Sequence, residues 1–402
     1  MTFSGPNSDK TENNYKIVYV VLNSANLGGT ERSVIDLTKY VIKAGYDIRL
    51  ISLENHPPSQ QFKQLGIEII TLNNSILGSI SPLQNIYDLY RAFRKIKPNV
   101  VSLHGTRPMV FGGIAAKLAG VRRIIATVHY SYKLMCLRND GSIDKNRTLY
   151  AKLIYLIGFQ LCNKIITISD YLSDEAKEIA RELRFFDLQK LSRKLITIHN
   201  GLNADEYYKT NDTSDFRKKY GIDQNAVIIG TASRIEPKKG LGYLLKAANI
   251  LKEKNVNFKL IIVGEGYAKE QLNDLRQELK LEKHVDFLGF WEKERMPEFY
   301  SVLDIFVLPS LSEGLGGNVN LEAMASFLPV VSTNVGGVPE VLRDNITALL
   351  VRPGDECELS DALIYLIQNP NIAKEMGRRG REIVENKFRK EETLNRIISL
   401  YR

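Results

Sequence analysis

The chain has 402 residues, 44% apolar and 25% charged, which excludes a disordered, collagenous or disulfide-built protein and fits two domains of about 100–200 residues. Its formal charge of +9 is uneven: residues 1–200 carry a net +11, residues 201–402 a net −2. An excess confined to one half predicts that this half faces something anionic.

Residues 1–14 are polar, lack an apolar signal core and read as a disordered tail. From 15 to 199, short continuously apolar runs alternate with helical spacing. The strand candidates are 16–23, 47–53, 67–72, 100–105, 123–129, 164–169 and 195–200, with helical patterns at 31–44, 108–119 and 147–162. Runs of this kind suit strands buried on both faces, and the alternation predicts a parallel, doubly wound sheet. Residues 200–215 are polar and turn-rich, as a linker would be. The alternation restarts over 216–387, with strands at 226–233, 258–266, 285–290, 304–310, 329–334 and 347–351. Helices are expected at 240–254, 267–280, 319–327 and 356–368. A last helix, 388–402, is expected to pack back toward the first domain.

No apolar run reaches the ~20 residues needed to span a bilayer. Cys136, Cys162 and Cys357 are far apart and make no metal spacing, which fits a reducing compartment. The expected location is the cytoplasm. An anionic membrane face is the expected surface partner, because 130–159 combines aromatic and basic residues with an apolar helix. Nucleic acid is not expected, since no arginine-rich helix, zinc pattern or aromatic RNA-binding motif is present.

Five constellations carry chemistry. Gly28-Gly29-Thr30-Glu31 joins the first strand to a helix, where free N–H groups can meet an anion. His104 and His129 end the fourth and fifth strands. Arg234 and Lys239 flank a strand-to-helix turn and suit a diphosphate, one as a planar fork and the other as a point charge. Gly264-Glu265-Gly266 ends another strand. The richest stretch is 309–325, PSLSEGLGGNVNLEAMA: a glycine-rich loop with Glu313 at its mouth, then a helix starting near Asn318 with Glu322 in its first turns. Its N–H groups can hold an anion while the carboxylates accept sugar hydroxyls.

The order GGTE, TVH, HNGLN, SRIEPKKG, VGEG, FLGF and SEGLGGNVNLEAMA resembles the retaining nucleotide-sugar glycosyltransferases of family 4, from about Lys16 to Arg402. The resemblance implies an α/β chain of the GT-B fold, with two doubly wound, Rossmann-like domains facing across a cleft. It implies sugar transfer from a nucleoside diphosphate sugar to an acceptor, with retention and without a metal. The expected acceptor is a lipid-linked or cell-surface glycan precursor. By the same resemblance Arg234 and Lys239 hold the diphosphate, helped by Gly28, Gly29, Gly264 and the helix start at Gly317, Asn318 and Val319. Glu322 holds the ribose, backbone near Leu288 flanks the base, and Glu313 and His129 meet the donor sugar. The catalytic set is thus His129, Glu313, Arg234 and Lys239, with no general base. One departure stands out: eight residues separate Glu313 from Glu322 where the family usually has seven, and Gly316 is the surplus residue. The competing expectations are a GT-B nucleotide-sugar epimerase and a non-catalytic nucleotide or nucleic-acid binder.

Overall fold

Residues 15–22, 29–54, 58–72, 82–136, 145–184, 187–210 and 212–402 are described by the computed structural model. The tail at 1–14, Gly28 and part of 130–159 lie outside these residues. The apolar runs form thirteen strands in two sheets. β1 (Lys16–Val21), β2 (Asp47–Ser52), β3 (Glu68–Thr71), β4 (Val100–His104), β5 (Arg123–Val128), β6 (Lys164–Thr167) and β7 (Leu195–Thr197) make the first, in the order β3-β2-β1-β4-β5-β6-β7. β8 (Val227–Ala232), β9 (Phe258–Val263), β10 (Val285–Gly289), β11 (Ile305–Leu308), β12 (Val330–Thr333) and β13 (Ala348–Val351) make the second, in the order β10-β9-β8-β11-β12-β13. Every strand pair is parallel. In each sheet the chain winds outward on one side, then returns to pair on the other side of its first strand, between β1 and β4 and between β8 and β11. Such reversals leave a crevice beyond the strand C-termini, where α/β sheets take ligands.

The strands are shorter than the apolar runs, mostly at their C-terminal ends. His129, Ser169, His199, Asn200 and Ser310 all lie beyond the ladder there, and His129 and Asn200 line the cleft. The helices at 29–43, 106–118, 241–253 and 318–325 fall where the spacing places them. The 18-residue helix Pro370–Lys387 was not anticipated. Pro370 reads as a breaker, but it occupies the first turn, where its missing N–H costs nothing. The buried face of this helix carries Ala373, Met376, Gly377, Gly380, Arg381 and Val384 at helical spacing, so few large apolar residues mark it.

The chain crosses between the domains twice, side by side. The Leu202 N–H donates to the Phe388 carbonyl (2.7 Å) and the Lys390 N–H to the Leu202 carbonyl (3.2 Å). Gly201 permits this contact, since a Cβ there would lie 2.6 Å from Lys390 Cα. After the second crossing, helix Lys390–Ser399 lays Leu394 and Ile398 against the first sheet, and Tyr401 follows them into a core with Ile17, Tyr19 and Ile125. All three cysteines are free, and no helix among the described residues is long and apolar enough to cross a membrane.

Arg381 ties the first crossing down. It is buried, with Nη1 2.7, 2.9 and 2.6 Å from the carbonyl oxygens of Ala204, Tyr207 and Ala325, and its Nε donates to Glu385 at 2.6 Å. Arg381→Met keeps the apolar stem and strands those carbonyls. Each buried orphan costs about 1–3 kcal/mol. The variant is expected to unfold at clearly lower urea, by about 3 kcal/mol in total, with an unchanged slope.

Candidate active site in the interdomain cleft

The two rows of strand ends enclose a cleft of about 930 Å³. Gly29, His129, Arg234, Lys239, Gly264, Glu313, Gly317, Asn318, Val319 and Glu322 all line it. Leu288 does not; it packs against the core beside a bulge in β10, and Phe290 and Trp291 form the wall there.

The glycine loop after β11 runs against the first domain. Gly314 lies so close to the end of β5 that a Cβ would sit 2.6 Å from the His129 carbonyl oxygen. The Gly314 carbonyl accepts the Ser169 hydroxyl at 2.8 Å. Gly316, the surplus residue, has φ +115° and Gly317 φ +71°, conformations that L side chains rarely adopt. Two glycines in this region deliver the chain to the helix Asn318–Ala325. Asn200, at the first crossing, donates across the boundary to Asn318 Oδ1 (3.0 Å).

The charges pair in the cleft. Lys239 Nζ lies 2.5 Å from Glu313 Oε1, which also accepts the Ser310 hydroxyl at 2.7 Å. Arg234 pairs with Glu236 at 2.8 Å, and most of its side chain stays exposed. Glu322 is buried, with Oε2 accepting the Tyr300 hydroxyl at 2.8 Å. Burial holds its carboxyl above the ordinary value, against the hydrogen bond from Tyr300 and the charges of Arg32 and Lys293. Arg32 and Lys293 also line the cleft, and sequence reasoning missed both. Their only signal was position: Arg32 directly follows Glu31 of the GGTE motif, and Lys293 closely follows FLGF.

His129 lies at the cleft floor, and burial brings its imidazole down to about 4, so it is neutral near pH 7. Its Nε2 is 3.4 Å from Nδ1 of His104, which also lines the cleft.

Nearby, Glu340 of the second domain caps a helix of the first. Its carboxylate accepts the backbone N–H groups of Asp170 and Tyr171, each at 2.7 Å, and pairs with His199 Nε2 at 2.9 Å. Asp170, His199 and Glu340 bring ligand-type atoms within 4.8 Å of one another. The Glu340 oxygens are already committed to a helix N-terminus, whose positive end disfavours a cation.

Two family models cover most of the chain: "Glycosyltransferase Family 4" matches residues 27–206 and "Glycosyl transferases group 1" matches 212–383. The chain is a family 4 glycosyltransferase. Among curated proteins it is similar to an Escherichia coli UDP-Gal:alpha-D-GlcNAc-diphosphoundecaprenol alpha-1,3-galactosyltransferase, 26% identical with 97% of each chain covered. It is also similar to the Bacillus anthracis N-acetyl-alpha-D-glucosaminyl L-malate synthase, 25% identical with 94% of each covered. Anabaena HepE, solved with UDP and glucose, superposes with TM-score 0.78 at 20% identity, covering 96% of this chain and 98% of that one. The fold of this glycosyltransferase is GT-B.

Glu340 is expected to make the domain contact pH-dependent. Burial pushes its carboxyl up, but the hydrogen bonds from His199, Tyr171 and Asp170 outweigh burial and hold it below the ordinary 4.5. A lowered carboxyl stabilises the fold above its unfolded value and loses that contribution as pH falls through the folded value. Glu340→Gln is therefore expected to cost about 1–2 kcal/mol at pH 7. The gap in Tm between the parent and variant is expected to close as the pH drops below about 4.5 in a thermal melt series.

Proposed function

We propose that this glycosyltransferase moves a hexose from a nucleoside diphosphate sugar to a lipid-linked or polysaccharide-precursor acceptor, with retention of anomeric configuration and without a metal ion. The observation that carries the reading is the convergence of Arg234, Lys239, Glu322 and the N-terminus of helix Asn318–Ala325 on one cleft. Cations and free N–H groups suit a diphosphate, and a buried carboxylate suits ribose hydroxyls. The donor sugar then lies between Glu313 and His129. Gly29 brings the start of a first-domain helix to the phosphates, and Phe290 and Trp291 give the base an apolar wall. The names of the relatives support the substrate class: the Escherichia coli protein is named for UDP-Gal and a diphosphoundecaprenol acceptor, and a Staphylococcus aureus relative (24% identical, covering 90% of this chain) for capsular polysaccharide biosynthesis.

Bond breaking leaves negative charge on the departing diphosphate. Arg234, Lys239 and the helix N-terminus stabilise that charge where it builds, with little reorganisation. Lys239 is paired with Glu313, so a phosphate that takes this lysine competes with a carboxylate. Neutral His129 orients a sugar hydroxyl rather than supplying a proton. The leaving phosphate takes the acceptor proton, and closure of the domains keeps water from the donor.

A lipid-linked acceptor also gives a reason for the exposed strip on helix Lys145–Leu161. Leu149, Tyr150, Leu153 and Ile157 share one side and are exposed, while Ala151, Tyr155, Leu156 and Phe159 are buried. This strip and the basic charge of the first half suit an anionic membrane face. Sedimentation with anionic vesicles is expected to exceed that with neutral vesicles at low salt. Equal binding would remove the membrane from the reading.

Steady-state kinetics test the diphosphate clamp. Arg234→Ala and Lys239→Ala are each expected to lower kcat by about 10²–10³ rather than only raise the donor KM. Near-normal kcat in both would refute the assignment. Proton NMR of the product reads the anomeric configuration, and an altered sugar nucleotide formed from donor alone would favour an epimerase.

A further inference from the structure

Behind His129 a line of buried polar groups leads away from the cleft. His104 Nδ1 is 3.4 Å from His129 Nε2, with the rings stacked at 5.7 Å and 30°. His104 Nε2 is 3.2 Å from Ser102 Oγ. The Tyr401 hydroxyl, beyond the last helix, lies 3.3 Å from Ser102 Oγ and 3.2 Å from the Tyr19 hydroxyl; its single hydrogen is free for Ser102 when Tyr19 donates to it. Tyr19 meets the His104 ring edge-on at 5.3 Å. Tyr19, Ser102, His104 and Tyr401 are all buried. The proposed chemistry uses His129 and leaves the rest of this line unexplained.

A neutral imidazole carries one N–H, so which nitrogen donates is set by the partner of the other. Burial keeps both rings neutral: His104 is held well below its ordinary value by desolvation and by His129, and His129 falls to about 4. A hydrogen bond across the 3.4 Å between His129 Nε2 and His104 Nδ1 takes one proton from one of the two rings, and so couples their tautomers. Run in the direction Tyr19 to Tyr401 to Ser102, each hydroxyl uses its one hydrogen, and the Ser102 hydrogen has His104 Nε2 as its acceptor. His104 must then carry its proton on Nδ1 and give that hydrogen bond to His129 Nε2.

We propose that the Tyr401–Ser102–His104 chain fixes His129 as the Nδ1–H tautomer, so that the ring offers the cleft an N–H donor suited to a hydroxyl oxygen. Ser102, His104 and Tyr401 are positioning residues: none needs to touch substrate. The inference rests on the reading of His129 as a donor-sugar contact for its consequence in turnover, though not for the tautomer itself. The C-terminal helix thereby tunes the recognition chemistry of the first domain, as a second shell of hydrogen bonds orients a functional imidazole elsewhere.

Long-range ¹⁵N–¹H NMR of the full-length protein distinguishes the tautomers, with the His129 signals assigned by their loss in His129→Gln. The expected result is an Nδ1–H ring in the parent and a mixture of tautomers in Ser102→Ala, a small change that the buried strand can accept. Tyr401→Phe should shift the ring in the same direction. An Nε2–H ring in the parent, or one unaltered in Ser102→Ala, would overturn the proposal. Ser102→Ala is further expected to lower kcat about 10-fold with little change in the donor KM, the scale on which supporting partners act. The NMR readout needs no turnover, so failure of the transfer reaction and failure of the tautomer lock register separately.

Discussion

The glycine loop of the second domain and the end of β5 in the first approach so closely that no side chain fits at Gly314. Most of the cleft depends on this contact. It sets the distance between His129 and Glu313, and neighbouring bonds hold the same register: Ser169 to Gly314, Asn200 to Asn318, and Glu340 to the helix that starts at Asp170. Asp36 adds a charge contact on the cleft wall, with Lys293 at 3.1 Å and Lys390 at 3.0 Å. Burial pushes the Asp36 carboxyl up, but these two lysines outweigh it and leave the group lowered. Each interaction alone is modest, yet all bridge segments that are distant in the chain, so loss of one loosens the others.

Inside the cleft the charges are arranged in pairs that can be traded. Lys239 sits on Glu313 and Arg234 on Glu236. Unpaired cations in a partly enclosed space would bear a desolvation cost before any ligand arrived. Internal carboxylates lower that cost. Glu322 differs because it is buried against Tyr300 and Tyr207, with Arg32 and Lys293 supplying opposing charge from two sides. Its geometry is prearranged, and its partners come from both domains.

The double sheet was legible because parallel strands covered on both faces must be continuously apolar, as KIVYVV, FKLIIV and IFVL are. The glycine loop was legible for the opposite reason: Gly316 and Gly317 take backbone conformations that other residues resist. What escaped notice lacks a local signature. The helix Pro370–Lys387 keeps helical spacing, but glycines, an alanine and an arginine make up most of its buried face, so few large apolar residues mark it. Arg32 and Lys293 read as solvated charges until the fold brings them beside Glu322. Leu288 itself packs against the core beside the bulge in β10, while its neighbours Phe290 and Trp291 line the cleft. The partnership of His104 with Ser102 and Tyr401 joins β4 to a helix at the far end of the sequence, and no spacing rule reaches that distance.

The return of helix Lys390–Ser399 to the first sheet has a consequence for biosynthesis. Leu394, Ile398 and Tyr401 complete a core begun by Ile17, Tyr19 and Ile125. During translation, at about 5–20 residues per second, the first seven strands emerge many seconds before these side chains exist. Through that interval the nascent first domain presents an open apolar seam and a half-built hydrogen-bond line behind His129. The second domain, whose own core is largely local to residues 227–376, can close meanwhile. The half of the protein that is made first is therefore the half that is finished last, and its seam is the natural place for a chaperone to wait.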